Sequence, residues 1–339
     1  MKLGLIGANG SVGSELCFLL KNDIDLKPII RNKLGSLFLN HHGFDCTISD
    51  VSDETDAKQS LSDLDVVVIS SYATDPFSGS QTRSSQQINE NIIKNSIKFS
   101  KENAIIIYFS TIRAFSHEID PNTSKFWTKP GYDKEKKQLE KFLLSESKKK
   151  NKKAFGFRIG HVFGNNQSRT RDFKKIFSKE SVTVQVDPEK QSNIVHTVTI
   201  KDAIMKCLQS NTLQSGIFSL VNNPQWTWKE VIDFYKASNT NVQYKLSATN
   251  HTENSLIWNI LKSNKKFLAP LRYYISPKFD SKINKKLATK RMMAAISNLK
   301  TEEPFYTSEY NYEAIPGPFL NELEETKILL KNYSLDIFK

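Results

Sequence analysis

Three glycines at intervals of three, Gly7, Gly10 and Gly13, separate an apolar run (Lys2–Ile6) from a stretch with Val12, Leu16, Leu19 and Leu20 at helical spacing. A strand that turns at once into a helix admits few folds. One glycine permits the tight turn, one lets backbone approach a pyrophosphate without a Cβ in the way, and one lets helix and strand pack closely. The helix opening at Ser11 then offers unpaired N–H groups and a positive dipole end to phosphate. Gly7, Asn9, Gly10, Ser11, Val12 and Gly13 are thus the expected phosphate contacts of a dinucleotide.

Strand and helix signals alternate beyond this turn. The segments "LKPIIRN", "GFDCTISD", "DLDVVVISSY", "NAIIIYFST" and "KAFGFRIG" read as strands, with the third and fourth apolar enough to be buried on both faces. Helical patterns lie between them, over Ser84–Ser100 and up to about Lys150. The alternation implies an α/β fold with a doubly wound parallel sheet. Residues 1–164 form the expected dinucleotide-binding domain, joined again by 193–222 through "SNIVHTVTIKDAIMKCLQ" and "GIFSLVNN". Residues 165–192 and 223–339 form a smaller, mostly helical substrate domain. Within it, Thr227 and Glu230 predict a capped helix.

The geometry of such a sheet singles out further positions. The residue just past the second strand faces the adenosine ribose, and here it is Arg31. An arginine suits the 2′-phosphate of NADP, where an acid would suit NAD, so the reading favours NADP. Asp50 and Val51 follow the third strand and are placed at the adenine edge. Ser70 and Ser71 end the fourth strand and are assigned to the same cofactor.

Cys17, Cys46 and Cys207 lie far apart and form no Cys-x-x-Cys, which argues against a zinc ribbon or a disulfide scaffold and fits a cytoplasmic setting. No His-Glu-x-x-His occurs, and no metal is expected. No apolar run is long enough to span a bilayer, and the N-terminal apolar run, broken by glycines and Asn9, is not read as a signal peptide. The net charge of +12 makes anionic partners plausible.

Two Tyr-x-x-x-Lys pairs occur, Tyr132–Lys136 and Tyr274–Lys278, in a chain with 11 tyrosines and 40 lysines. Composition alone predicts about one. Pro277 keeps the second pair off a regular helix. Together with the glycine turn, "YFSTIRAF", "FRIGHVFG" and "NIVHTVTIKDAI" follow one another in an order that resembles the extended short-chain dehydrogenase/reductase family, over roughly residues 1–235.

The resemblance implies a Rossmann domain, an NAD(P) cofactor and a catalytic set of Thr111, Tyr132 and Lys136, with Ser110 as an alternative to Thr111. Tyr132 and Lys136 also contact the cofactor. Lowering a phenol's pKa by about three units needs roughly 4 kcal/mol, which Lys136 and a bound nicotinamide would share. The resemblance further implies a nucleotide-linked or otherwise activated sugar as substrate, turned over by an epimerase or reductase. Dehydratases of this type carry Asp-Glu after the Ser/Thr; here Ile112 and Arg113 stand there, so 4,6-dehydration is not expected. The family's arginine before Val-His-Val is missing from Lys190–Asn193, and Thr199 stands where an acid follows. Arg169 or Arg171 is the candidate to grip phosphate instead. Arg158 reads as a buried anchor, and His161 and His196 as core histidines.

From Leu261 to Lys300 there are eleven Lys/Arg and one acid, Asp280, a local charge of +10, with aromatic residues interleaved. A solvated basic face and a peripheral membrane contact, at the inner face and presenting a lipid-linked sugar, are the two readings of this segment; nucleic acid is a weaker third. A homodimer is also compatible with the sequence. A non-catalytic cofactor-binding module is the rival to an enzyme.

Overall fold

The computed structural model describes residues 1–74, 82–115, 132–222, 225–244 and 305–306. The basic segment 261–300 and the Tyr274–Lys278 pair lie outside the described residues. Seven parallel strands form the main sheet: β1 (Lys2–Ile6), β2 (Asp25–Ile30), β3 (Thr47–Ile48), β4 (Val66–Ile69), β5 (Ile105–Thr111), β6 (Ala154–Ile159) and, later in the chain, Gly216–Leu220. That last strand becomes β10 once β7 (His161–Phe163), β8 (Ser181–Gln185) and β9 (Ile194–His196) are counted. The spatial order is β10-β6-β5-β4-β1-β2-β3. The order reverses between β1 and β4, which opens a crevice at their carboxyl ends.

Helices cover both faces. On one side α1 (Ser11–Leu20) packs in a core with Leu3, Leu5, Leu16, Phe155, Phe157 and Ile200. On the other, α3 (Glu54–Leu61), α4 (Arg83–Phe99) and α5 (Tyr132–Lys149) bury Leu61, Ile93, Ile97, Leu139 and Leu143 against Val67, Ile106 and Tyr108. The short α2 (Leu37–His41) follows β2. Burial on both faces is why β4 and β5 carry continuous apolar runs instead of alternation. Pro28 lies inside β2, at a level where β3 has not begun; β3 pairs only with Ile29 and Ile30, so the missing N–H leaves no β3 ladder bond unmade.

A second core gathers Phe163, Phe173, Phe177, Val184, Trp228 and Ile232. It is built by α6 (Ser168–Ile176), α8 (Trp228–Tyr235) and a parallel three-stranded sheet in the order β11-β8-β12, where β11 is Asn241–Tyr244 and β12 is Phe305–Tyr306. Between them, α7 (Thr197–Gln209) returns to the main sheet. Thr227 and Glu230 form the expected capping box on α8.

Candidate active site

The glycine turn is a cradle that side chains would fill. Gly7 adopts φ +82°, and a Cβ there would lie 2.9 Å from the Ser71 backbone nitrogen. A Cβ on Gly13 would sit 2.3 Å from the Gly7 carbonyl oxygen, closer than atoms tolerate. Gly10 caps α1 without a side-chain hydrogen bond, and no acidic residue occupies the first turn. The N–H groups of this helix end thus face the crevice beside Ser70 and Ser71. The Ser70 hydroxyl donates to the Ile6 carbonyl (2.8 Å), tying β4 to β1, while the buried Ser71 hydroxyl has no hydrogen-bond partner among the described residues. A close-approach cradle, a free helix N-terminus and an orphaned hydroxyl fit the pyrophosphate of a dinucleotide.

The other expected cofactor positions lie along the same edge. Arg31 is exposed just past β2, and Asn9 lies against the turn at Gly35. Asp50 follows β3, its carboxylate accepting from the Ser52 N–H (3.1 Å) and hydroxyl (2.6 Å). Val51 packs inward, and its carbonyl accepts from Asn95 (2.9 Å).

At the end of β5 the structure separates Ser110 from Thr111. Ser110 is buried and donates to Glu140, whose carboxylate also takes the Arg158 guanidinium (Nη2–Oε2 2.8 Å, Nε–Oε1 3.1 Å). Strand alternation thus turns Ser110 toward α5. Thr111 lines a cleft of about 350 Å³ with Tyr132, Arg113, His161 and Arg169, and shares a hydrogen bond with the Tyr132 phenol. Arg171 instead donates to the Asn166 carbonyl (3.0 Å) and is absent from the described wall of the cleft. His196 caps α7 through Nδ1, as a structural histidine would, whereas His161 faces the cleft.

Lys136, one turn along α5 from Tyr132, is only 3% exposed. Its ammonium donates to the Phe109 carbonyl (2.7 Å) and lies 4.4 Å from the Tyr72 ring centre, 4.6 Å from Tyr108 and 5.8 Å from Tyr132. Burial pulls Lys136 down to about 7, opposed by Glu135 and Glu140. The three ring faces also favour the charged form. Burial pushes Tyr132 up to about 12, against the pull of Arg113 and the Thr111 hydrogen bond. In the protein alone the phenol therefore holds its proton, while the Lys136 ammonium is turned to the Phe109 carbonyl.

Because the folded pKa of Lys136 lies below the unfolded one, the unfolded chain holds a proton that the native chain lacks between about pH 7 and 10.5. Each step up in pH makes that extra proton costlier for the unfolded state to hold, so stability rises with pH in this window. Relative to Lys136→Met, the wild type should gain up to roughly 3 kcal/mol between pH 7 and 9 in urea unfolding. Parallel curves for the two proteins would remove the titration from this lysine.

Sequence reasoning missed three supports. Tyr72 stacks edge-on against Tyr132 with centroids 5.1 Å apart. Asn89 of α4 grips both backbone groups of Ala73 (2.7 and 3.1 Å) and donates to Glu135 (3.0 Å). Glu15, fully buried in α1, accepts from the backbone of Asn165 and Asn166 and from Gln167 and Thr197. Of these only Glu15 left a trace, as a lone acid in the apolar run of the first helix.

A family model described as the RmlD substrate binding domain matches residues 1–255. The chain belongs to that family. This places it among the extended short-chain dehydrogenase/reductases, as the ordered motifs implied. Among solved structures it is similar to UDP-N-acetylglucosamine 4-epimerase from Bacillus cereus (18% identity, 74% of this chain and 88% of that one, TM-score 0.56). It is also similar to ADP-L-glycero-D-manno-heptose-6-epimerase from Helicobacter pylori (16%, 72% and 86%, 0.54). A third is UDP-glucuronic acid 4-epimerase from Bacillus cereus in complex with NAD (14%, 73% and 88%, 0.52). At these identities the likeness is one of fold. No curated protein matches the chain in sequence. Among the described residues no group of side chains could hold a metal ion, and no helix is long and apolar enough to cross a membrane.

Proposed function

We propose that this RmlD-type chain is an NAD(P)-dependent epimerase or reductase acting on a nucleotide-linked or otherwise activated sugar. The observation that carries the reading is the convergence of Thr111 and Tyr132 on one cleft, with Lys136 beneath, at the carboxyl edge of the sheet that also holds the glycine cradle. The likeness of fold to solved epimerases of UDP- and ADP-linked sugars, one of them in complex with NAD, supports it.

The glycine cradle and the Ser70–Ser71 edge would hold an NAD(P), which would supply the hydride donor or acceptor for the reaction. Tyr132 holds and moves the hydroxyl proton at its phenol oxygen, and Thr111 orients that oxygen through its hydrogen bond. Lys136, fixed by the Phe109 carbonyl, keeps positive charge behind the phenol. The phenol's raised pKa makes Tyr132 a proton donor first, which suits reduction of a carbonyl; abstraction requires the further charge of the oxidised cofactor. The Ile112–Arg113 pair after Thr111 supplies no carboxylate for 4,6-dehydration.

The test is turnover of NAD(P)H with a panel of keto- and hydroxy-sugar nucleotides. Tyr132→Phe should lower kcat by about 10²–10⁴-fold while cofactor affinity holds. Full turnover by that variant would remove the tyrosine from the chemistry. Titrating NADPH beside NADH reads the proposed contact of Arg31 with a 2′-phosphate, which predicts tighter binding of NADPH.

A further inference from the structure

Tyr132 has two cations at nearly the same range. The Arg113 guanidinium carbon lies 5.7 Å from its ring centre and the Lys136 ammonium 5.8 Å. Their surroundings differ. Lys136 is buried, donates to the Phe109 carbonyl and sits among the Tyr72 and Tyr108 rings. Arg113 stands on the 3-10 turn Ile112–Phe115 and lines the cleft with its side chain half exposed. A guanidinium keeps its charge throughout the alkaline range, whereas burial lowers Lys136 to about 7. Where a phenol gives up its proton, Arg113 is therefore the more lasting cation beside this ring.

The helix that carries Tyr132 also fixes Arg113. Asp133, the next residue on α5, meets Nε with Oδ1 at 2.9 Å and Nη2 with Oδ2 at 3.4 Å. The main chain adds a second hold. The Arg113 N–H donates to Thr111 Oγ1 (3.3 Å), which leaves the Thr111 hydroxyl hydrogen for the Tyr132 phenol. One residue thus turns a hydroxyl to the phenol oxygen and brings a fixed positive charge to its ring.

Among the described residues, α5 sets Asp133, Glu135 and Lys136 near Tyr132, the segment after β4 sets Tyr72, and β5 sets Tyr108. His161 and Arg169 share the cleft with it, and burial keeps His161 neutral. Burial raises the phenol most; Arg113 then lowers it, and Asp133 raises it. We propose that Arg113 is a positioning residue for the proton transfer: its guanidinium, held by Asp133, favours the charged form of the Tyr132 phenol, while its N–H turns the Thr111 hydroxyl to the same oxygen. The inference rests on the proposed reaction for what the proton serves, and it is measured without turnover.

The experiment follows phenol ionisation in the full chain by fluorine NMR, with 3-fluorotyrosine incorporated at Tyr132. Arg113→Gln keeps the N–H on Thr111 and should raise the midpoint by about 0.5–1 pH unit at low salt, the size expected of a half-exposed charge at about 6 Å. Arg113→Lys, which restores the charge, should recover most of that shift. Asp133→Asn keeps an acceptor for the guanidinium, removes the negative charge and should lower the midpoint. At about 1 M salt both displacements should shrink, because exposed charges are screened. An unmoved midpoint in Arg113→Gln, or shifts of the same sign in Arg113→Gln and Asp133→Asn, would overturn the inference. Turnover of sugar nucleotides alongside either of those results would leave the proposed reaction intact. Opposed shifts without turnover of any sugar would uphold the pair and refute the reaction.

Discussion

Glu15→Ala should cost about 3–5 kcal/mol of unfolding free energy, because several donors lose their acceptor at about 1–3 kcal/mol each where they are buried. The carboxylate is 0% exposed. It accepts hydrogen bonds from the Asn165 N–H (2.8 Å), the Asn166 N–H (3.0 Å), Gln167 Nε2 (2.9 Å) and the Thr197 hydroxyl (2.7 Å). Alanine leaves these donors buried and unsatisfied. The knot also joins helix α1 to the loop that leads to Arg169 in the cleft. Gly164 is shaped to it: a Cβ there would lie 2.6 and 2.7 Å from the two carboxylate oxygens. Loss of stability should thus bring loosened binding on the substrate side. Urea unfolding measures the first and calorimetry with UDP-sugars the second. A loss under about 1 kcal/mol at unchanged m-value would show that water replaces the carboxylate.

Glu140→Ala should be similarly severe, again about 3–5 kcal/mol. Arg158 is buried on β6, and Glu140 faces it from α5 with a bidentate contact while also accepting from Ser110. Removing the acid strands a guanidinium in the core. Removing both charges, as in Glu140→Leu with Arg158→Met, should recover much of the loss, because most of the single-variant cost is the uncompensated partner. The double-mutant cycle measures this directly, and additive losses would refute the pairing. Glu140 also helps keep Lys136 charged from one turn away, so the single variant should shift the Lys136-linked rise in stability to lower pH.

Much of this architecture was legible because it is local. Gly7, Gly10 and Gly13 between an apolar strand and an amphipathic helix mark a turn whose constraints are steric, and a Cβ at Gly7 or Gly13 would meet that crowding. Continuous apolar runs at Val66–Ile69 and Ile105–Thr111 could only be strands covered on both faces. The Thr227–Glu230 cap is likewise a matter of neighbours in the chain. The β8, β11 and β12 strands were less visible. They are short, and their partners come from up to 121 residues away, with Phe305 on Val184 and Tyr306 on Gln185, where no periodicity reaches.

Nearest-neighbour chemistry therefore dictated the sheet, its crevice and the pair of residues worth testing, since steric and periodic constraints act over a few positions. Turning Ser110 toward Glu140 and Thr111 toward the cleft, aiming Lys136 at a carbonyl within a ring of tyrosines, and burying Glu15 where four donors meet it were settled by contacts across the folded chain. Burial and charge proximity are properties of three-dimensional surroundings. They also set the proton affinity of Tyr132, which no reading of Tyr-x-x-x-Lys could supply.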